Sequence, residues 1–298
     1  MPYINIGKIQ LYYEEYGIDN KKTMVYFHGG PGESCLTYTY QAKLLGEKFH
    51  IISFDQYGVL RSDAIPDNTP FGVYDHVNLI EKMRIALNVK SWTPIGHSYG
   101  GMLACFYAYM YPDSVDGVIY DCPMWSAKST AKTIAETLLP YYEAHDFKNE
   151  IGVCKEILFN NISSKIAFEK ATNLKLTNEL HKYCHVMDNA EYEQYIRNNI
   201  PDIDVPENYW YKFLHFQKML FASRDFYNNY MVYLSQIKKP SLLMVGEYDM
   251  TCGKEQQDWF CEHSENGLFF ILKNSAHMSW MQVPEKYSSL IVDFMENI

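Results

Sequence analysis

Basic residues are in short supply in this chain of 298 residues: 26 Lys and Arg stand against 36 Asp and Glu, a formal net charge of −10. Nucleic-acid binding rests on clustered Lys and Arg that release counterions from phosphates. No such cluster occurs, so no nucleic-acid partner is expected. Long apolar runs are missing as well. None approaches the ~20 residues a helix needs to cross a bilayer, and no membrane association is expected. The opening stretch, Met1 to Gly17, alternates apolar and polar residues and lacks the basic start and apolar run of a secretory signal. Pairing patterns are absent among the seven cysteines, Cys35, Cys105, Cys122, Cys154, Cys184, Cys252 and Cys261, which are odd in number and scattered without C-x-x-C spacing. They are read as reduced, buried thiols of a cytoplasmic protein. No H-E-x-x-H, G-x-x-x-x-G-K-[ST] or strand-following G-x-G-x-x-G motif is present, so neither zinc nor nucleotide is implied and no cofactor is expected.

What remains is the balance of a globular enzyme: 47% hydrophobic and 21% charged residues, enough to bury a large core. The 26 tyrosines fit core and rim packing, or a cleft whose lining needs rings with a polar tip.

Along the chain, Ile4 to Ile9 and Leu11 to Tyr16 alternate in period two and predict a hairpin. Met24-Val25-Tyr26-Phe27 predicts a buried strand that must stop at His28-Gly29-Gly30-Pro31-Gly32. A strand over His50 to Phe54 follows, then a helix over Tyr74 to Leu87 with Val77, Ile80, Met83 and Leu87 on one face. Trp92 to Ile95, Gly96 to Gly100 and Gly101 to Tyr111 read as strand, sharp turn and helix, and Gly117 to Cys122 as the next buried strand. From about Pro123 to Ser235 the buried β-branched runs vanish and the segment reads as helical. Strand patterns return over 240–246 and 267–272, and Glu285 to Met295 closes as a helix. Alternation of this kind predicts an α/β architecture around a mostly parallel sheet, with core segments 1–122 and 236–298 and a helical insertion over 123–235.

Gly96-His97-Ser98-Tyr99-Gly100 matches G-x-S-x-G, whose glycines let a strand turn abruptly into a helix with the serine at the apex. An alcohol is a weak nucleophile near neutral pH and needs an imidazole to take its proton and a carboxylate to orient that imidazole. Asp249 follows the strand ending at Val245, and His277 the strand ending at Leu272, each on the side of an open α/β sheet where sites are built. Ser98, Asp249 and His277 are therefore the candidate catalytic residues. Asp121, at the end of the strand after the elbow helix, competes with Asp249 as the acid. His97 is expected to point away from the nucleophile and to play a supporting part. Two preset donors are needed for a tetrahedral oxyanion; the backbone N–H groups of Tyr99 and Gly30 are the candidates, with Gly29 as the near alternative.

Together, His28-Gly29-Gly30-Pro31-Gly32, Asp55-Gln56-Tyr57-Gly58 with Arg61-Ser62, Gly96 to Gly101, Gly246-Glu247-Tyr248-Asp249 and Ser275-Ala276-His277-Met278 resemble the proline iminopeptidase family. The HGGPG loop is the most distinctive of these. The resemblance spans residues 1–122 and 236–298 and implies the α/β-hydrolase fold, with helices on both faces of the sheet and 123–235 as an inserted helical cap. It further implies removal of an amino-terminal residue, often proline, from a peptide, or hydrolysis of a small amino-acid amide or ester. This family recognises the free ammonium group with acidic residues from the cap and from near the catalytic acid. The tricorn-interacting aminopeptidases follow Gly-Glu-Tyr-Asp with a glutamate, whereas this chain has Met250. Among the cap carboxylates Glu179, Glu191, Glu193 and Glu207, the candidates for binding the substrate amine are Glu191 and Glu207. A carboxylesterase or lactonase using the same triad, and a non-catalytic receptor that keeps the fold to bind a small ligand, are the competing readings.

Overall fold

The computed structural model describes residues 2–183 and 189–298. Its eight strands are β1 (Tyr3–Ile6), β2 (Ile9–Tyr16), β3 (Thr23–Phe27), β4 (His50–Phe54), β5 (Thr93–His97), β6 (Val118–Asp121), β7 (Ser241–Gly246) and β8 (Gly267–Leu272). They form one sheet in the order β1-β2-β4-β3-β5-β6-β7-β8. The β1–β2 hairpin turns at Gly7, whose φ of 63° suits glycine. β2 lies antiparallel to β4, and every later pairing is parallel.

Helices connect the parallel strands, as right-handed crossovers require. α1 (Thr39–Gly46) follows β3, α2 (Val73–Ala86) follows β4 and α3 (Tyr99–Met110) follows β5. Between β6 and β7 lie α4 (Ala127–Ala144), α5 (Lys148–Phe159), α6 (Ser164–Thr172), α7 (Asn189–Asn199) and α8 (Lys212–Ala222). α9 (Lys254–His263) follows β7, and α10 (Ser279–Gln282) and α11 (Pro284–Glu296) follow β8. The mostly parallel sheet with helices on both faces is the α/β-hydrolase architecture expected from the sequence.

Continuous apolar strands arise because both faces of the sheet are covered. Val25 and Phe27 of β3 pack with Tyr107 and Tyr120 on one face, while Met24 and Tyr26 pack with Trp280, Tyr287 and Ile291 on the other. The segment between β6 and β7 has a core of its own. Ala131, Ala135, Leu138 and Tyr142 recur at helical spacing on α4 and meet Cys154 and Ile157 of α5 and Ala167 and Ala171 of α6. α8 behaves differently, since its Phe216 and Leu220 belong to the cluster on the sheet.

The expectation that all the cysteines are buried needs one correction. Cys35, Cys105, Cys122, Cys154 and Cys252 are buried free thiols, but Cys261 is exposed on α9, where only one flank of the helix meets the sheet. Cys184 lies outside the described residues. Among those residues no helix is long and apolar enough to cross a membrane.

Candidate active site

Ser98 sits between β5 and α3 with φ 53° and ψ −117°, a conformation an L-residue holds only when its surroundings impose it. The imposition is visible. Its N–H donates to the Asp121 carbonyl at 3.0 Å, and its own carbonyl accepts the N–H groups of Gly101 and Met124, each at 2.9 Å. A side chain at Gly100 would collide with the Phe27 carbonyl, so the elbow can lie against the end of β3 only because glycine stands there. Ser98 thus projects from the end of a buried strand at the amino terminus of α3, where free N–H groups favour negative charge.

Asp249 and His277 lie just beyond β7 and β8 and meet there, His277 Nδ1 donating to Asp249 Oδ1 at 2.7 Å. The Asp249 carboxylate is fully buried and also accepts the backbone N–H of Thr251 at 3.1 Å and of Cys252 at 2.8 Å. With Nδ1 committed as donor, the neutral ring presents Nε2 as an acceptor. No hydrogen bond joins Ser98 Oγ to His277 among the described residues, and such contacts tighten when substrate binds. The rings of His97 and His277 are 4.6 Å apart, which sets the imidazole beside the elbow.

The two acids considered for His277 are separated by geometry. Asp121 Oδ2 is 3.0 Å from Nδ1 of His97, not of His277. Burial pushes the Asp121 carboxyl up to about 8, the His277 charge acting against it and the Asp249 charge with it, so near neutral pH it keeps its proton. Burial and the neighbouring His277 charge hold His97 down at about 3, and its ring rests edge-on to Trp280 at 4.3 Å. The neutral His97–Asp121 pair forms the floor beneath the elbow. For His277, burial disfavours the charged ring, but the charge and hydrogen bond of Asp249, reinforced by the charge of Glu33, outweigh it and raise its pKa above 6.5.

The loop over residues 28–32 runs beside the elbow. Gly30 has φ 107° and precedes a cis bond to Pro31. His28 holds the loop from below: its Nε2 accepts the Gln56 N–H at 3.0 Å, while Gln56 Nε2 donates to the His28 carbonyl at 2.8 Å. Burial keeps this imidazole neutral, down at about 4. Asp55, Arg61 and Ser62 therefore act as a support. Arg61 Nε donates to Asp55 Oδ2 at 2.6 Å and Nη2 to Asp55 Oδ1 at 3.1 Å, a two-point ion pair in the interior. Arg61 Nη1 reaches Glu14 Oε1 at 3.1 Å, and the guanidinium lies 3.6 Å over the Tyr12 ring.

Several residues of the site were not evident from the sequence. α8 crosses the loop, with Phe213 packed on Gly32, Gln217 Nε2 donating to the Pro31 carbonyl at 2.6 Å and Lys212 Nζ to the Ser62 carbonyl at 2.9 Å. Gln256 is buried and ties the turn after Asp249 to the start of α4: its Nε2 donates to the Thr251 carbonyl at 2.7 Å, and its Oε1 accepts the Trp125 N–H at 2.9 Å. Met250 packs against the core of α4, α5 and α6. Glu191 is exposed on α7, and Glu207 is exposed in the short 3-10 helix Glu207–Tyr211. Tyr99 opens α3, its ring buried and its hydroxyl 3.2 Å from His76 Nδ1. Glu33, directly after the glycine loop, brings Oε2 within 3.2 Å of where a side chain on Gly29 would begin, a position that is 3.1 Å from Ser98 Cβ.

Comparison with known proteins places this arrangement in a wider group. A family model described as alpha/beta hydrolase fold matches residues 22–283. The proline iminopeptidase of Heyndrickxia coagulans is 26% identical over 282 residues, covering 92% of this chain and 91% of its own length. That of Saccharolobus solfataricus is 26% identical over 312 residues, covering 99% and 92%. Among solved structures, the proline iminopeptidase-related protein TTHA1809 of Thermus thermophilus superposes with a TM-score of 0.72 at 20% identity over 99% of this chain and 96% of its own. An elbow serine at the end of a parallel strand, together with a model match over most of the chain, leads to one conclusion: the chain belongs to the α/β-hydrolase family and is a hydrolase similar to the proline iminopeptidases.

Proposed function

We propose that the protein is a serine aminopeptidase or amidase that removes an amino-terminal residue through an acyl-enzyme on Ser98, acting in the cytoplasm on small peptides or amino-acid amides. The observation that carries this reading is the 2.7 Å bond from His277 Nδ1 to the buried Asp249, formed beside the elbow serine. Ser98 Oγ attacks the carbonyl carbon as its proton passes to His277 Nε2. Asp249 holds the ring in the tautomer that can accept and steadies the resulting charge. The N–H groups of Tyr99 and Gly30, or Gly29, receive the oxyanion. Collapse breaks the C–N bond, and the leaving amine takes the proton from His277. Water then adds to the acyl carbon, giving its proton to the same nitrogen, and Ser98 Oγ recovers it on release. In this reading residues 123–235 form a cap over the site, held to it through α8.

The purified protein is expected to release a chromophore from prolyl or alanyl arylamides and to lose this activity when the substrate amino group is acetylated. A second reading, a carboxylesterase or lactonase, draws on Met250, which follows the acid directly in sequence where the tricorn-interacting aminopeptidases carry a glutamate. Ester and amide hydrolysis share the triad and differ in leaving-group protonation and in what the cap admits. Faster turnover of p-nitrophenyl acetate, with blocked and free arylamides cleaved alike, would decide for the esterase.

The state of His277 sets the pH dependence. Its neutral form takes the proton, and its pKa is raised above 6.5. The value of kcat/KM is therefore expected to fall as pH drops through a midpoint above 6.5. p-Nitrophenyl acetate, which carries no ionisable group, is the substrate for this measurement; a midpoint below 6.5 would contradict the Asp249–His277 coupling.

A further inference from the structure

Among the described residues Glu33 is a carboxylate with no ion-pair partner. Its backbone N–H closes a turn onto the Gly29 carbonyl, but among the described residues its side chain makes no hydrogen bond or ion pair. The nearby cations are occupied elsewhere: Arg61 binds Asp55 and Glu14, and Lys212 binds the Ser62 carbonyl with its ammonium 3.6 Å over the Tyr209 ring. The position of Glu33 is informative. A methyl group placed on Gly29 would stand 3.1 Å from Ser98 Cβ and 3.2 Å from Glu33 Oε2. Ser98 Cβ and Glu33 Oε2 thus flank the same edge of Gly29, which the His97 ring also crowds, its Cδ2 only 2.7 Å from that position. Glu33 also lines a cavity of about 200 Å³ with Gly32, Val59, Leu60, Trp210 and Phe213. A carboxylate beside aromatic rings suits an organic cation, which gains from both the charge and the ring faces. The field of Glu33 reaches the site itself, since its charge helps to raise His277.

We propose that Glu33, with Trp210 and Phe213, is the subsite that binds the free ammonium group of the substrate. The inference rests on Ser98 being the nucleophile. Once an aminoacyl group is attached, the run Cβ–Oγ–C–Cα–N is long enough to bring its amino nitrogen from Ser98 past Gly29 to the Glu33 carboxylate. A blocked or acylated amine leaves the carboxylate unpaired and is rejected. Glu33 thereby supplies the charge that Met250 does not.

The test compares kcat/KM for alanyl p-nitroanilide with that for p-nitrophenyl acetate in the wild type and in Glu33→Gln and Glu33→Asp. The ratio of the two is insensitive to the fraction of protein folded and to any change in His277, which serves both substrates. In Glu33→Gln the ratio is expected to fall about 30-fold, largely through KM of the anilide, and in Glu33→Asp by less. An unchanged ratio overturns the proposal, including the case in which both activities decline together. Prolinol, a cation with no scissile bond, provides a second measurement as a competitive inhibitor of ester turnover. Its inhibition constant should rise in Glu33→Gln; inhibition that is absent, or equal in both proteins, overturns the subsite. If the wild type hydrolyses only the ester, the aminopeptidase reading fails, and Glu33-dependent inhibition by prolinol still supports the cation site. If anilides are cleaved with a ratio that ignores Glu33, the reading stands and the subsite falls.

Discussion

Replacing Ser98 by alanine is expected to lower kcat by about 10⁶ while leaving the fold intact, because in the proposed mechanism Ser98, His277 and Asp249 act together and loss of the serine removes the acyl-enzyme route. The elbow conformation makes the substitution a clean one. Ser98 is held at φ 53° by backbone hydrogen bonds to Asp121, Gly101 and Met124, none of which involves its hydroxyl. Alanine pays the same backbone strain as serine, so the thermal midpoint should move little. A fluorophosphonate probe should label the wild type and not the variant. Arylamide turnover in Ser98→Ala within tenfold of the wild type would remove the proposed mechanism.

The largest effect on stability is expected away from the reacting atoms, at Arg61. Its guanidinium makes two hydrogen bonds to the fully buried Asp55 carboxylate, which also accepts the Cys35 N–H at 3.1 Å. Arg61→Ala leaves Asp55 buried without a counter-charge, a change that costs about 3–5 kcal/mol. For a chain of this size the thermal midpoint should drop by roughly 10 °C. Calorimetry of the purified variant measures this; a shift of less than about 2 °C would mean that Asp55 is neutralised another way. Removing both charges together, as in Asp55→Asn with Arg61→Met, should recover part of the loss, since the penalty comes chiefly from the unpaired ion.

The sequence revealed most where a local pattern and a tertiary requirement coincide. Strands buried on both faces read as short apolar runs, and β3, β4 and β7 lie where those runs predict them; β8 is equally apolar and lies where predicted, although it is half exposed at the edge of the sheet. The elbow was legible because its glycines answer a steric demand only a few residues away. α9 was not legible as a helix: Lys254–His263 buries only Gln256 and Phe260, too sparse a stripe to register as helical periodicity. α1 was missed for a related reason, since Thr39–Gly46 is a short helix emerging directly from a 3-10 turn. Asp55, Gln56, Arg61 and Ser62 were visible as a motif, but their task of holding the glycine loop depends on His28 and Glu14, which no spacing rule connects to them. The sequence points to Glu191 and Glu207 within 123–235 for amine binding, whereas Glu33, the carboxylate proposed for that task, directly follows the glycine loop. Only the fold of residues 29–33 back toward Ser98 shows how close it stands.

The pairing of β6 with β7 has an evolutionary side. These strands lie side by side in parallel register, although all the helices from α4 to α8 separate them in sequence. Doubling the length of such an excursion adds only about 0.6 kcal/mol of closure entropy. Lineages can therefore lengthen, shorten or exchange this segment without dismantling the sheet that presents Ser98, Asp249 and His277. What an exchanged segment has to reproduce is a helix seated like α8, giving Gln217 to the Pro31 carbonyl and Lys212 to the Ser62 carbonyl. The scaffold is in this sense a socket, and inheritance is free to vary most of what is plugged into it.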